Sequence, residues 1–412
     1  MLPSARPLLP PAAAGLCLSL LVAVAEAKLA VPFPGEAPGP TIRATLGDTI
    51  VVDVHNKLET ENTAIHWHGI RQIGTPWADG VAGVTQCPIL PGETFTYKFV
   101  VDRPGTYLYH AHYGMQRVAG LNGMIVVTVP EGFVEPFSYD EEHTVLLGDW
   151  WHKSVYEQAT GLSSNPFVFV TEPHSLLING RGMFNCSLAP SGTAIFAHPH
   201  FVEPMPARAD RTLLFLNTQN RIDGHIKWTI NGVSLMFPAT PYLVAMKRGM
   251  KDAYEQRPPP DMYDHMSHDI SAPAPTNGTV GSPVYRLALG SVVDVVLQNS
   301  NMLNNKSETH PWHLHGHDFW VLGYGEGKFN PAADAWRLLN VRDPIMKNTV
   351  PLHPDGWTAV RFRADNPGVW LFHCHVEAHV FMGMGVVFEE GVERVGRLPS
   401  SIMGCGRSKG LH

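Results

Sequence analysis

The chain has 412 residues, 44% of them hydrophobic and 16% charged, which excludes a disordered protein and allows two or three domains. A net charge of −7, with no long Lys/Arg run, excludes a nucleic-acid partner. Gly (38) and Pro (35) favour turn-rich β-structure over helices, and the 22 histidines are the compositional anomaly.

The N-terminus reads as a secretory leader over residues 1–27. Arg6 supplies the positive end, Ala12 to Val24 an apolar run of about 13 residues, and Ala25-Glu26-Ala27 a small-x-small cleavage site. That run is short for a bilayer, and no later apolar stretch reaches the roughly 18 residues of a spanning helix. The expectation is a soluble extracellular protein without a membrane partner, in the apoplast or cell wall if the source is a plant. Sequons at Asn185, Asn277 and Asn305 fit that route. Of the five cysteines, Cys17 leaves with the leader and Cys374 lies between two histidines. Cys87, Cys186 and Cys405 remain, implying one disulfide and one leftover thiol.

Further along, short alternating segments bounded by Gly and Pro predict strands. Phe95, Tyr97 and Phe99 alternate with polar residues after the turn Pro91-Gly92, and Met124 to Val129 is more continuously apolar. Segment 255–283, rich in Pro, Asp and Ser, reads as a long loop. Val293, Val295 and Leu297 alternate with Asp294 and Val296; Val360 and Phe362 alternate with Arg361 and Arg363. Helical periodicity is scarce, so the fold class is all-β, built of two-sheet sandwiches. Pro104-Gly105-Thr106-Tyr107-Leu108-Tyr109-His110 and Pro367-Gly368-Val369-Trp370-Leu371-Phe372-His373 each lead into a His-x-His pair, then a glycine and an apolar strand. One domain type is used twice, over 28–133 and 208–412, around a middle stretch at 134–207.

Four His-x-His pairs occur: His66/His68, His110/His112, His313/His315 and His373/His375. On a strand, residues two apart point to the same face, so each pair aims two imidazoles one way. Imidazole alone does not choose a metal, but Cys374 with His310, His379 and Met384 is the ligand set of a blue-copper site. His373 and His375 point to the face opposite Cys374, so one strand joins that site to a histidine cluster. The other eight histidines suit three coppers, a cluster fit to pass electrons to O2.

At these residues the chain resembles the plant-type ascorbate oxidases within the multicopper oxidases. The matching motifs are Ile65-His66-Trp67-His68-Gly69, His310-Pro311-Trp312-His313-Leu314-His315-Gly316-His317, and His373-Cys374-His375 through Met384. Runs such as Leu216-Asn217-Thr218-Gln219-Asn220 and Thr240-Pro241-Tyr242-Leu243 favour ascorbate oxidases over laccases. The resemblance implies four coppers. Type 1 would lie at His310, Cys374, His379 and Met384, and type 2 at His66 and His313. One type 3 copper would take His68, His110 and His375, the other His112, His315 and His373. It implies oxidation of ascorbate coupled to reduction of O2 to water, proton delivery by Asp79 and Glu377, and a Cys87–Cys405 disulfide. Asp79 and Glu377 also admit a plainer role, hydrogen bonding to ligand histidines.

Two departures from the family pattern stand out. Most of a middle cupredoxin domain is absent: 134–207 keeps only its first strands, around Val145-Leu146-Leu147 and Leu176 to Gly182, which leaves Cys186 without its family partner. The opening strand of the first domain also looks lost, since Lys28 to Gly39 is too short to supply it. The expected architecture is therefore two cupredoxin-like Greek-key sandwiches with a remnant of a third between them. In the substrate pocket the resemblance implies Trp228 as one ascorbate-stacking tryptophan, Phe169 at the position of the other, and His379 as a further substrate-binding residue. Ascorbate is the leading reductant; a laccase-like oxidase of phenols and a copper-binding protein with little turnover are the alternatives. Exposed remnant strands would promote homo-oligomers.

Overall fold

Eight strands make up the N-terminal part: β1 (Cys17–Val24), β2 (Ala27–Pro34), β3 (Ile42–Thr45), β4 (Thr49–Asn56), β5 (Ile65–His68), β6 (Thr94–Val100), β7 (Gly105–Ala111) and β8 (Asn122–Thr128). They come from a computed structural model that describes residues 17–24, 27–34, 37–133, 139–182, 203–272, 277–334 and 344–410. Exposed and buried residues alternate strictly along β6, which sends Phe95, Tyr97 and Phe99 into the core as the sequence predicts. The strands form two four-stranded sheets, ordered β2-β1-β4-β6 and β3-β8-β7-β5.

In the uncleaved chain the leader-like segment ahead of Lys28, not Lys28 to Gly39, supplies an opening strand. β1 and β2 form an antiparallel hairpin, and β1 pairs along β4 from Leu18–Asn56 to Val24–Ile50. An unpaired edge of β4 would leave a row of N–H and C=O groups without partners, and the adjoining extended segment supplies them. The apolar run read as a leader is thus a paired strand in the uncleaved chain; Arg6 and residues 25–26 lie outside the described residues.

The middle stretch divides in two. Among the described residues, β9 (Leu147–Trp150) and β10 (Ser175–Ile178) pair only with each other, and Leu147, Leu176 and Ile178 are exposed. The paired register begins at Leu147, and the Leu146 carbonyl extends the contact by accepting from Asn179 N–H at 2.8 Å. Between them runs helix α1 (Val155–Leu162), whose first turn is capped by the Ser154 hydroxyl accepting the Tyr156 N–H. Leu162 joins the buried cluster of the C-terminal part, with Val155, Ala159 and Phe167 packed against it. The helix is docked while the ribbon is not.

The C-terminal part contains β11 (Arg211–Ile222), β12 (His225–Ile230), β13 (Val233–Leu235), β14 (Thr279–Gly281), β15 (Val284–Leu287), β16 (Val292–Gln298), β17 (His310–Leu314), β18 (Phe319–Glu326), β19 (Met346–Lys347), β20 (Thr349–Leu352), β21 (Gly356–Arg363), β22 (Gly368–Cys374) and β23 (Gly385–Glu390). Short helices α2 (Tyr242–Lys247), α3 (Pro331–Asp334) and α4 (Glu377–Phe381) complete it. An eight-stranded sheet, β14-β13-β12-β11-β16-β21-β18-β19, faces a five-stranded one, β15-β23-β22-β17-β20. The long loop predicted over 255–283 is irregular for most of its described length but ends in β14. Arg361 is buried, and Asp294 lies opposite it across β16 and β21 and binds its guanidinium at 2.6 and 2.8 Å.

β22 shows how this arrangement positions a site. Phe372 and Cys374 point into the C-terminal core, whereas Val369 and Leu371 join the core of the N-terminal sheets. His373 and His375 follow the second face by the period of two. The two sandwiches therefore share one buried cluster, reinforced by ion pairs from Arg103 to Asp318 and from Arg117 to Glu377.

Candidate metal centre

The His-x-His pairs meet because strand register sets them opposite one another. His66 on β5 faces His110 on β7, and His313 on β17 faces His373 on β22. Ile65 and Trp67, on the other face of β5, are fully buried in the N-terminal core and hold the strand in place. The turn Trp77-Ala78-Asp79-Gly80 lies behind it. Gly80 has φ +85°, and a Cβ there would sit 1.7 Å from the Ile65 carbonyl oxygen, so only glycine lets Asp79 approach. His66 Nδ1 donates to the Asp79 carbonyl at 2.8 Å, and His315 Nδ1 to the Asp79 carboxylate at 2.9 Å.

Three groups of three imidazoles result, each with ligand atoms within 4.8 Å: His66/His68/His313, His68/His110/His375 and His112/His315/His373. His66 Nε2 and His313 Nε2 lie 3.4 Å apart, as do His315 Nε2 and His373 Nε2 at 3.1 Å. In both pairs each Nδ1 already donates: His66 and His313 to the carbonyls of Asp79 and Asn348, His315 to the Asp79 carboxylate, His373 to the Cys374 carbonyl. The facing Nε2 atoms are therefore bare lone pairs, an arrangement that a cation between them turns from repulsion into coordination. Burial first, then neighbouring positive groups, hold His68, His110, His112, His313, His315, His373 and His375 well below the usual imidazole range, so they stay neutral as ligands must.

On the other face of β22, Cys374 Sγ lies 3.5 Å from His379 Nδ1 and 3.8 Å from His310 Nδ1, and those two nitrogens are 3.2 Å apart. Burial pushes the Cys374 thiol well above its usual range, which a bound cation would reverse. Met384 is fully buried in the same cluster. Its backbone N–H donates to the His379 carbonyl at 3.0 Å, and its own carbonyl accepts from Cys374 N–H at 3.1 Å. Gly383, at φ +100°, makes that close turn; a Cβ there would meet Ser234 Oγ at 2.0 Å. A soft thiolate, two imidazoles and a nearby thioether fit copper.

The remaining predicted residues fall in distinct places. Trp228 packs its ring 4.9 Å from that of His310 and 5.2 Å from that of His379 but is fully buried, its indole N–H without a partner. As the structure stands it has no face open to a dissolved donor. Phe169 is exposed, its ring 6.2 Å from His379. Asp79 has no exposure and serves the histidines behind it; Glu377 is paired to Arg117 Nε at 2.5 Å, and burial raises its pKa. Cys87 and Cys405 form a disulfide, and Cys374 is the free cysteine among the described residues. Asn277 and Asn305 are exposed, as glycosylation requires; Asn185 and Cys186 lie outside the described residues.

Sequence reasoning missed four contributors. Glu308 Oε1 lies 3.0 Å from His379 Nε2. Asn348 and Thr349 reach His313 and His68 from β20. Arg117 donates to the His375 carbonyl as well as to Glu377. Glu308, two residues before His310, had a spacing signal; the others depend on strand pairing that no local pattern encodes.

Three family models described as "Multicopper oxidase" match residues 22–132, 141–213 and 254–394. An L-ascorbate oxidase of Cucumis sativus is 43% identical over 90% of this chain and 87% of its own length. That alignment spans 514 positions against a chain of 412 residues, so a long stretch of the relative faces a gap. Laccase-12 of Arabidopsis thaliana is 29% identical over 88% of this chain and 89% of its length. Among solved structures, Fet3p, a multicopper oxidase that functions in iron import, superposes with a TM-score of 0.69 at 21% identity, covering 91% of this chain and 90% of that one. The shared architecture is the all-β cupredoxin sandwich. Together with the buried thiolate and histidine groups, these relationships place the chain in the multicopper oxidase family, as a copper-dependent oxidoreductase that uses O2.

Proposed function

We propose that this protein oxidises L-ascorbate at the Cys374 site and reduces O2 to water at the histidine cluster. The observation that carries the choice of reductant is the 43% identity to an L-ascorbate oxidase against 29% to a laccase, over similar shares of the chain. In this reading residues 28–133 and 208–412 are the two working domains, and 134–207 is a remnant of a middle one.

His310, Cys374, His379 and Met384 would hold a type 1 copper. His66 and His313 would hold type 2, His68, His110 and His375 one type 3 ion, and His112, His315 and His373 the other. Copper so bound supplies one-electron acceptance at the first site and O2 reduction at the second. Cys374 links them, since its neighbours His373 and His375 belong to the cluster and His373 Nδ1 donates to the Cys374 carbonyl at 2.9 Å. Asp79 fixes the tautomers of His66 and His315 by accepting their Nδ1 protons. Glu377, on the wall of a cavity that reaches His373 and His375, is the better placed of the two acids to hold a proton for the cluster. Phe169 and Glu308 lie at the edge of His379 where a donor would approach. The burial of Trp228 favours a second reading, a phenol as the donor, because the ascorbate-stacking face is covered.

Oxygen uptake by the purified, copper-replete protein with ascorbate and with 2,6-dimethoxyphenol decides between them. Faster uptake with ascorbate, an intense blue band and four coppers per chain, as the twelve ligands demand, support the proposal. A preference for the phenol moves it to the second reading, and uptake with neither refutes both. Secretion is proposed from the leader-like N-terminus and the exposed sequons at Asn277 and Asn305. A mature N-terminus at Lys28 in mass spectrometry supports it; a chain that keeps β1 overturns it.

A further inference from the structure

A cavity of about 740 Å³ opens between the two sandwiches, on the side of the histidine cluster away from Cys374. Its inner wall carries His110, His112, His373 and His375. Dioxygen and water need a small fraction of that space; the volume is that of a site for an organic molecule. Its outer wall is apolar, with Met236, Val280 and Phe381 large and exposed at the rim and Phe237 further in.

The charges on this wall are few. Glu377 is neutralised by Arg117 at 2.5 Å. Lys227 also lines the cavity and has neither a hydrogen bond nor an ion pair from its side chain among the described residues. Strand alternation explains its place: on β12, Trp228 turns toward the Cys374 site, so Lys227 turns the other way. The result is an apolar chamber with one spare positive charge. We propose that this cavity binds a small aromatic carboxylate, its ring between Phe237, Met236 and Phe381 and its carboxylate on Lys227. The occupant stands between solvent and the histidines, so it obstructs the approach of O2 rather than that of the reductant.

The test uses the purified full chain and two probes of equal shape, 2-naphthoate and 2-naphthamide, with binding measured by titration calorimetry. The acid should bind about tenfold more tightly than the amide, as expected when a charge-assisted contact replaces a neutral one. Lys227→Met should abolish that preference and leave the amide unaffected. Met236→Glu, at an exposed rim position where folding is not at stake, should weaken both probes through the lost ring contact, and the acid several-fold more than the amide because only the acid meets a like charge. In oxygen-uptake assays, 2-naphthoate should raise the KM for O2 and leave that for the reductant unchanged. Equal binding of acid and amide, no binding of either, or an acid preference that survives Lys227→Met would overturn the proposal. Calorimetry needs no turnover, so this outcome is separable from failure of the oxidase reading.

Discussion

Asp79 and Cys374 show how much a single side chain carries here. Asp79 accepts from His315 Nδ1 and lies 3.3 Å from His66 Nδ1, so it sets which nitrogen each ring offers to a metal. Asp79→Ala should lower copper content or turnover by about 10–100-fold, and Asp79→Asn by less, since the amide oxygen still accepts. Metal analysis with oxygen uptake measures both, and full activity of Asp79→Ala would remove Asp79 from the centre. Cys374→Ser should abolish the blue band while the cluster histidines keep their metal, because the serine hydroxyl is a poor soft ligand. These residues were legible in the sequence, since His-Cys-His places chemistry in consecutive positions. Asn348 and Arg117 were not, because they reach the histidines across other elements.

At the scale of the element, β16, β21 and β22 do more than alternation suggested. Val296 faces a small cluster with Leu214 and Trp357, while Val293, Val295 and Leu297 face the main core, so β16 is buried on both sides. The same packing encloses Arg361 with Asp294. Removing one partner of an enclosed ion pair leaves a charge unpaired, so Asp294→Ala should destabilise by about 3 kcal/mol in denaturant unfolding. A loss indistinguishable from zero would mean that water still reaches Arg361. Both β6 and β16 were readable as strands; β6 alternates cleanly because one face meets solvent, whereas β16 is also apolar at Val296 because neither does.

At the scale of the molecule, the two working sandwiches are tied by a shared core, ion pairs and the Cys87–Cys405 disulfide, which closes a span of 318 residues. Cross-linking so long a loop stabilises by up to about 5 kcal/mol, so replacing both cysteines by alanine should lower the melting temperature markedly. An unchanged midpoint would show that the shared core suffices. The ribbon β9–β10, with Leu147, Leu176 and Ile178 exposed and no third strand among the described residues, should drive dimers or larger assemblies, which light scattering checks; a monodisperse monomer refutes it. From sequence alone came the all-β class, the twelve candidate ligands and the gap in the middle, because each is written in local spacing: pairs two apart, a cysteine between histidines, strands bounded by turns. Only the tertiary structure decided that β1 pairs along β4 in the uncleaved chain, that Trp228 is covered, and that a cavity with Lys227 on its wall opens onto the cluster. Those depend on which surfaces meet once distant strands pair, and the energy of such meetings is spread over contacts that no short stretch of the chain contains.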